Sequence, residues 1–163
     1  MKAASFRWRS VMTGVLTATI LFFACKKDDV SKPALRSQEY PLSAAGNSGV
    51  TGKITISENT DSSFNVKVAL DQSVKDTVHV LHIHNGSISS PGNIAIPLTS
   101  ITGTGGAASS ITSNIKQVTL PGSTVKVLTY DSILVYNGYV NVHYSAYRID
   151  SLIAQGNIGQ NKN

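Results

Sequence analysis

The sequence has little of what most enzymes and nucleic-acid-binding proteins depend on. It contains one cysteine, Cys25, so no disulfide within the chain can stabilise a fold. From Gly49 onward its seven basic and six acidic residues are dispersed, whereas nucleic-acid binding requires a basic cluster. It has no GxSxG motif, and the acids Asp76, Asp131 and Asp150 are too scattered to nominate as a general acid and base. These absences favour a protein that is not an enzyme, without catalytic residues, whose stability comes from apolar burial.

The first 24 residues are typical of a secretory signal peptide. Lys2, Arg7 and Arg9 precede an apolar run over residues 11–23, which is too short to favour a membrane-spanning helix. No acidic residue lies in this segment, so much of the formal charge of +5 belongs to it. We therefore expect the rest of the chain to be closer to neutral.

The residues that follow indicate a lipid anchor. Residues 22–25 (FFAC) resemble a lipobox, in which Cys25 is lipidated and becomes the mature N-terminus. Lys27, Asp28 and Asp29 resemble the surface-export signal of Bacteroidota lipoproteins, although such charges also suit a solvated tether. We expect an outer-membrane lipoprotein exposed on the cell surface, with a periplasm-facing position as the alternative. An ordinary signal peptide with an incidental cysteine, or an uncleaved anchor, is the competing interpretation.

The pattern divides the rest of the chain into three parts. Residues 25–48 contain prolines and small residues without a sustained period, which indicates a lipidated tether or linker, although Leu35, Tyr40 and Leu42 could equally dock on the domain that follows. Residues 49–159 form short alternating segments separated by Gly/Pro turns, and 160–163 are expected to form a frayed tail. Such segments predict an all-β Greek-key sandwich or barrel of about seven or eight strands. One short helix is expected over residues 131–137, capped by Thr129 or Asp131, with a strand as the alternative.

The strand predicted over Thr77–Gly86 (TVHVLHIHNG) has the most distinctive chemistry. Because side chains alternate between the faces of a strand, His82 and His84 share one face with Val80. His79 lies on the opposite face with the apolar residues of the strand, and we expect it to face solvent or the opposite sheet.

A second predicted strand, residues 138–146, places Asn141 and His143 on one face. If the two strands pair, His82, His84 and His143 could bind Zn²⁺ or Cu²⁺ with an open fourth position. Asn141 could then be an outer partner that fixes a histidine tautomer. The alternative needs no cofactor: the imidazoles and Asn141 form a structural hydrogen-bond network. A pH-sensitive surface patch is a third interpretation.

Three motifs occur in the order of one known family. HIHNG (82–86) with PGNI (91–94), YVNVH (139–143) and AQGNIG (154–159) together resemble the CHRD domain, named after chordin, in the form found in Bacteroidota lipoproteins. The resemblance covers about residues 49–159 and implies an immunoglobulin-like or superoxide-dismutase-like β-sandwich. Residues 149–156 lack the glutamate and arginine of many relatives, so no role of those charges is carried over. The family has no well-defined biochemical activity.

The sequence thus favours a non-catalytic surface module for binding, adhesion or structure, anchored to the membrane and with an unknown protein or glycan ligand. A metal-binding envelope protein is the alternative. A superoxide dismutase is less favoured, because that family uses six histidines, an aspartate and a disulfide, and this chain has four histidines and one cysteine. Four tyrosines at positions 136, 139, 144 and 147 could line a sugar or peptide groove, or pack on the core.

Overall fold

The computed structural model describes residues 34–162, most of which lie in β-strands. The elements in chain order are β1 (Ser37–Ala44), β2 (Gly52–Glu58), β3 (Phe64–Leu70), β4 (Val78–Ser87), β5 (Ser90–Thr102), β6 (Ala108–Ile115), β7 (Gln117–Thr119), β8 (Val125–Val127), α1 (Tyr130–Ile133), β9 (Asn137–Ser145) and β10 (Arg148–Gly159). The prediction of an all-β fold with one short helix is confirmed. Thr129 caps the helix, because its side chain accepts a hydrogen bond from the backbone N–H of Ser132.

Eight of these strands form one antiparallel sheet in the order β5-β4-β9-β10-β1-β2-β3-β6, and β7 pairs with β8 in a separate ribbon. Side chains connect the two end strands: the Thr99 N–H donates to Thr112 Oγ1 at 2.8 Å, and Ser110 Oγ donates to the Thr99 carbonyl at 2.6 Å. The sheet is therefore nearly closed into a barrel. Across this closing gap β6 adjoins β5, so the spatial order β4-β5-β6-β3 puts three consecutive strands side by side with β3 returning beside β6, which is a Greek-key arrangement.

The apolar side chains of alternate positions fill the interior. Ile54 and Ile56 of β2 lie opposite Val68 and Val66 of β3, and all four are at most 1% exposed. Gly156 of β10 contacts the backbone of β1 so closely that a Cβ at this position would lie 2.3 Å from the carbonyl oxygen of Pro41. The core and this backbone contact fix the position of β10 and, through it, of β9.

The domain begins earlier than the sequence pattern predicts, because β1 lies within the predicted linker. It pairs with β2 from Ser37 to Leu42, and its Tyr40 and Leu42 are 2% and 3% exposed, so the alternative that these residues dock on the domain holds for them but not for the exposed Leu35. The predicted tail is also wrong for Asn161, whose Nδ2 donates to Asn137 Oδ1 at 2.7 Å and to the Gly86 carbonyl at 2.9 Å. The folded domain therefore extends beyond the predicted residues 49–159 at both ends.

The predicted signal peptide, the lipidation site Cys25 and the export signal Lys27, Asp28 and Asp29 lie outside the described residues. In the part of the chain that the structure describes, no helix has the length and apolar character needed to cross a membrane.

Candidate metal centre

The two strands that carry the predicted cluster are neighbours, as the sequence analysis required. β4 pairs antiparallel with β9, with His82 opposite Asn141 and His84 opposite Tyr139. Leu81 and Ile83 of β4 are fully buried in the core. The alternation along β4 therefore places His82 and His84 on the outer face of the sheet.

The structure brings His82, His84 and His143 together on this outer face. The ring centroid of His82 lies 5.8 Å from that of His84 and 5.2 Å from that of His143. One nitrogen atom of each ring lies within 4.8 Å of the other two, and His82 Nδ1 is 3.3 Å from His143 Nε2. Within residues 34–162, this is the one group of three or more His, Cys, Asp or Glu side chains with metal-binding spacing.

Two backbone carbonyl oxygens orient two of the rings. His84 Nδ1 is 3.0 Å from the carbonyl oxygen of Gly92, and His143 Nδ1 bonds to the carbonyl oxygen of Ile149. A carbonyl oxygen can only accept, so Nδ1 is the protonated nitrogen of both rings and each Nε2 has a free lone pair. Metal-binding histidines commonly have such an N–H to carbonyl bond behind them.

Burial keeps two of the imidazoles neutral. His143 is 6% exposed, and His82 and His84 are partly buried. Burial, together with the neighbouring imidazoles of His143 and His84, lowers the pKa of His82 to about 4. Burial also lowers the pKa of His143, although its hydrogen bond to Ile149 acts in the opposite direction. Both residues are therefore uncharged at pH 7, the form in which imidazole binds a metal ion.

Two enclosed atoms at this site, His84 Nε2 and Asn141 Oδ1, have no hydrogen-bond partner among the described residues. An enclosed polar atom without a partner destabilises a fold by about 1–3 kcal/mol, so such atoms are rare in native structures. Asn141 Oδ1 does not fix a histidine tautomer in the way that the sequence analysis expected. The carbonyls of Gly92 and Ile149 have that role for His84 and His143.

His79 does not belong to the cluster, and the expectation that it could face solvent is wrong. It is fully buried on the inner side of β4. Its Nδ1 donates to the Tyr144 carbonyl at 2.8 Å, and its Nε2 accepts a hydrogen bond from the Val74 N–H at 3.2 Å. The loops around Val74 and Gly103 cover this end of the strand, and a Cβ at Gly103 would lie 3.2 Å from His79 Nε2.

Sequence reasoning missed three groups that support the site. The carbonyls of Gly92 and Ile149 have no side-chain signature, and only the turn at Pro91-Gly92 marks one of them. Asn85 is the third, and it acts indirectly: its Nδ2 donates at 3.0 Å to Oδ1 of Asn93, the residue after the Gly92 carbonyl that orients His84, and its Oδ1 accepts a hydrogen bond from the Tyr136 hydroxyl. An asparagine among apolar strand residues is a signal that could have identified it, since asparagine is uncommon in strands.

The tyrosines divide between the core, the site and the surface. Tyr139 is 3% exposed and stacks on His84, with ring centroids 5.1 Å apart and an interplanar angle of 26°. Tyr147 is fully exposed at the turn between β9 and β10, and the Arg148 guanidinium lies over the Tyr144 ring at 4.4 Å.

Chemically, the cluster offers imidazole lone pairs on a largely desolvated surface, a donor set that suits Zn²⁺ and Cu²⁺.

In comparisons with known proteins, no protein-family model matches the chain, and no curated protein matches it.

Proposed function

We propose that this protein binds a transition-metal ion, Zn²⁺ or Cu²⁺, through His82 Nδ1, His84 Nε2 and His143 Nε2. The observation that carries the proposal is the enclosed Nε2 of His84, which has no partner among residues 34–162 and lies beside two other imidazole nitrogens. A bound metal ion would supply the missing partner. As a Lewis acid, the ion would accept the lone pairs of the three imidazoles and so link β4 to β9.

Hydrogen bonding between the rings cannot satisfy all three. His84 and His143 have each donated their N–H to a backbone carbonyl, so His82 alone has an N–H to offer inside the cluster. If His82 Nδ1 donates to His143 Nε2, His84 Nε2 still has no donor. A metal ion accepts all three lone pairs, provided that His82 is protonated on Nε2 instead.

The spacing of His82 and His143 supports the same interpretation. Two nitrogens bound to one tetrahedral Zn²⁺ at about 2.0–2.1 Å lie roughly 3.3–3.4 Å apart. His82 Nδ1 and His143 Nε2 are 3.3 Å apart. The pair is therefore already at the separation that a shared ion requires.

The test is the metal content of the full chain, purified in detergent without a histidine tag. We expect about one equivalent of zinc or copper per chain, as in a single three-histidine site, and background levels in a His82→Ala/His84→Ala double variant. His79→Gln is the matched control, because it removes a histidine from the same strand but not from the cluster, and it should retain the metal. A wild type that holds no metal after incubation with Zn²⁺ or Cu²⁺, while the double variant unfolds at a lower temperature, would make the cluster a structural network.

We also propose that the chain is a non-catalytic outer-membrane lipoprotein of the CHRD kind, anchored through Cys25 and exposed on the cell surface by Lys27, Asp28 and Asp29. The order of the three sequence motifs and the Greek-key fold support this assignment. Cys25→Ser should move the chain from the membrane fraction to the soluble fraction. Protease added to intact cells should digest the wild type and spare a variant with alanine at positions 27–29. A protected wild type would place the domain on the periplasmic side.

A binding or adhesion role has its own structural support. The fully exposed Tyr147 lines a cavity of about 360 Å³ together with Asp76, Val78 and Tyr144. Exposed tyrosines often anchor protein ligands, and an aromatic ring with a nearby carboxylate also suits a glycan. Tyr147→Ala should reduce binding of cells to immobilised host or bacterial glycans and proteins, whereas Ile111→Ala, an exposed apolar residue of β6, should not. Equal binding by both variants would remove this role from the cavity.

A further inference from the structure

We infer that Asn141 is the fourth metal donor, through Oδ1, so that the protein itself closes the coordination of the metal. This inference rests on the proposed metal function. It goes beyond the three-histidine site with an open position that the sequence suggests, and it gives Asn141 direct contact with the ion.

Asn141 lies in the middle of the groups that form the site. It is directly opposite His82 on the neighbouring strand, and it is two residues from both His143 and Tyr139 on the same face of β9. Side chains at directly opposite positions have Cβ atoms about 4.5–5.5 Å apart. Asn141 therefore shares the outer face of the two strands with the three imidazoles and with Tyr139, whose ring stacks on His84.

The Asn141 amide has no structural explanation within the described part of the chain. The residue is 8% exposed, and its Oδ1 is enclosed without a hydrogen-bond partner there. Asparagine is unfavourable in strands, whereas the flanking Val140 and Val142 are favourable and fully buried. A valine or threonine would suit this central strand better if the position served stability alone.

The donor set that results has a specific chemistry. Three imidazoles and one amide oxygen are neutral, and the hard oxygen favours a divalent ion such as Zn²⁺ over Cu⁺, which prefers soft sulfur ligands. Four protein donors are typical of structural zinc sites, whereas catalytic sites have three and leave one position to water. We therefore expect the bound ion to have no position available to an external anion.

The test uses Co²⁺ in place of Zn²⁺ in the full chain, because the visible absorption of Co²⁺ reports its coordination. The wild type should bind Co²⁺ with an intense four-coordinate spectrum that azide does not change. Asn141→Leu, which removes the oxygen at similar volume, should weaken Zn²⁺ binding at least about 10-fold and give a spectrum that shifts with azide. The matched control is Gln155→Leu, since Gln155 is the partner of Asn141 on the other neighbouring strand and should behave as the wild type.

Each outcome has a distinct meaning. An azide-sensitive wild type, or an Asn141→Leu variant with unchanged spectrum and affinity, would overturn the role of Asn141 and leave the three-histidine site in place. A folded wild type that binds neither Co²⁺ nor Zn²⁺ would refute the metal function itself. If Asn141→Leu does not fold, Asn141→Asp decides: it retains an oxygen at the position and should bind Zn²⁺ more tightly while remaining insensitive to azide. An azide-sensitive Asn141→Asp spectrum would refute the inference.

Discussion

Replacing His79 by leucine tests how the inner face of β4 is stabilised. The change retains approximately the same volume but removes both ring nitrogens, so the Val74 N–H and the Tyr144 carbonyl lose their partner. An enclosed polar group that loses its partner destabilises a fold by about 1–3 kcal/mol. Val74 and Tyr144 are only partly buried, so water can reach each to some extent. We therefore expect His79→Leu to lower the free energy of unfolding by about 2–4 kcal/mol.

The measurement is urea and thermal unfolding in the presence of EDTA, so that bound metal does not contribute to stability. For a domain of this size, 1 kcal/mol corresponds to roughly 3–5 °C, so the melting temperature should fall by about 6–20 °C. Val78→Thr is the control, because Val78 is the preceding residue, is 50% exposed, and should change stability by less than about 0.5 kcal/mol. A loss of less than about 1 kcal/mol for His79→Leu would show that its two hydrogen bonds are replaced by water, which would refute the reasoning.

Two further predictions concern pH and backbone contact. In metal-free protein, the pKa of His82 is about 4 when folded and about 6.5 when unfolded. Between these values the unfolded state binds more protons than the folded state, so the free energy of unfolding should decrease as the pH falls from 6.5 to 4. In urea titrations, His82→Gln should weaken this pH dependence. An unchanged pH dependence in the variant would contradict the burial of His82. Gly156→Ala should destabilise the fold by about 1–3 kcal/mol, because its Cβ would meet the Pro41 carbonyl at 2.3 Å, whereas Gly106→Ala, whose nearest contact would be at 3.9 Å, should have little effect. Equal thermal stability of the two glycine variants would contradict this close contact.

The sequence was sufficient to predict the elements that carry the site. Leu81 and Ile83 alternate with His82 and His84, and Val140 and Val142 alternate with Asn141 and His143. A period of two requires the apolar members to face the core, so the polar members must share the outer face once the strands pair. For this reason the three histidines could be expected to converge if the two strands pair, but the alternation alone does not predict that β4 pairs with β9.

Other features depend on tertiary contacts that local patterns do not encode. β1 has only Tyr40 and Leu42 as inward apolar residues, so its alternation is too short to distinguish it from a linker. The side on which His79 lies was predicted, but its burial depends on how the loop around Val74 folds back against the loop around Gly103, which the alternation of β4 does not indicate. The carbonyls of Gly92 and Ile149 are backbone groups, and no residue type announces their position.

The burial of both faces of β9 supports the proposal that the cluster is a binding site rather than a stabilising network. Val140 and Val142 on the inner face are fully buried, and Asn141 and His143 on the outer face are 8% and 6% exposed. The strand is therefore buried on both faces, a condition under which apolar side chains stabilise most, since partly satisfied polar networks are worse than apolar contacts.

Replacing the histidines of β4 by valine distinguishes a metal site from a structural network by the sign of the stability change. If they serve a metal, His82→Val/His84→Val should leave the free energy of unfolding in EDTA unchanged or raise it, because valine suits a strand and removes the enclosed His84 Nε2. Added Zn²⁺ should then stabilise the wild type but not the variant, in proportion to ligand concentration. If the histidines serve the fold alone, the same variant should be destabilised in EDTA, and Zn²⁺ should stabilise neither protein. Urea unfolding of both proteins with and without Zn²⁺ separates the two cases, because the sign of the change differs between them.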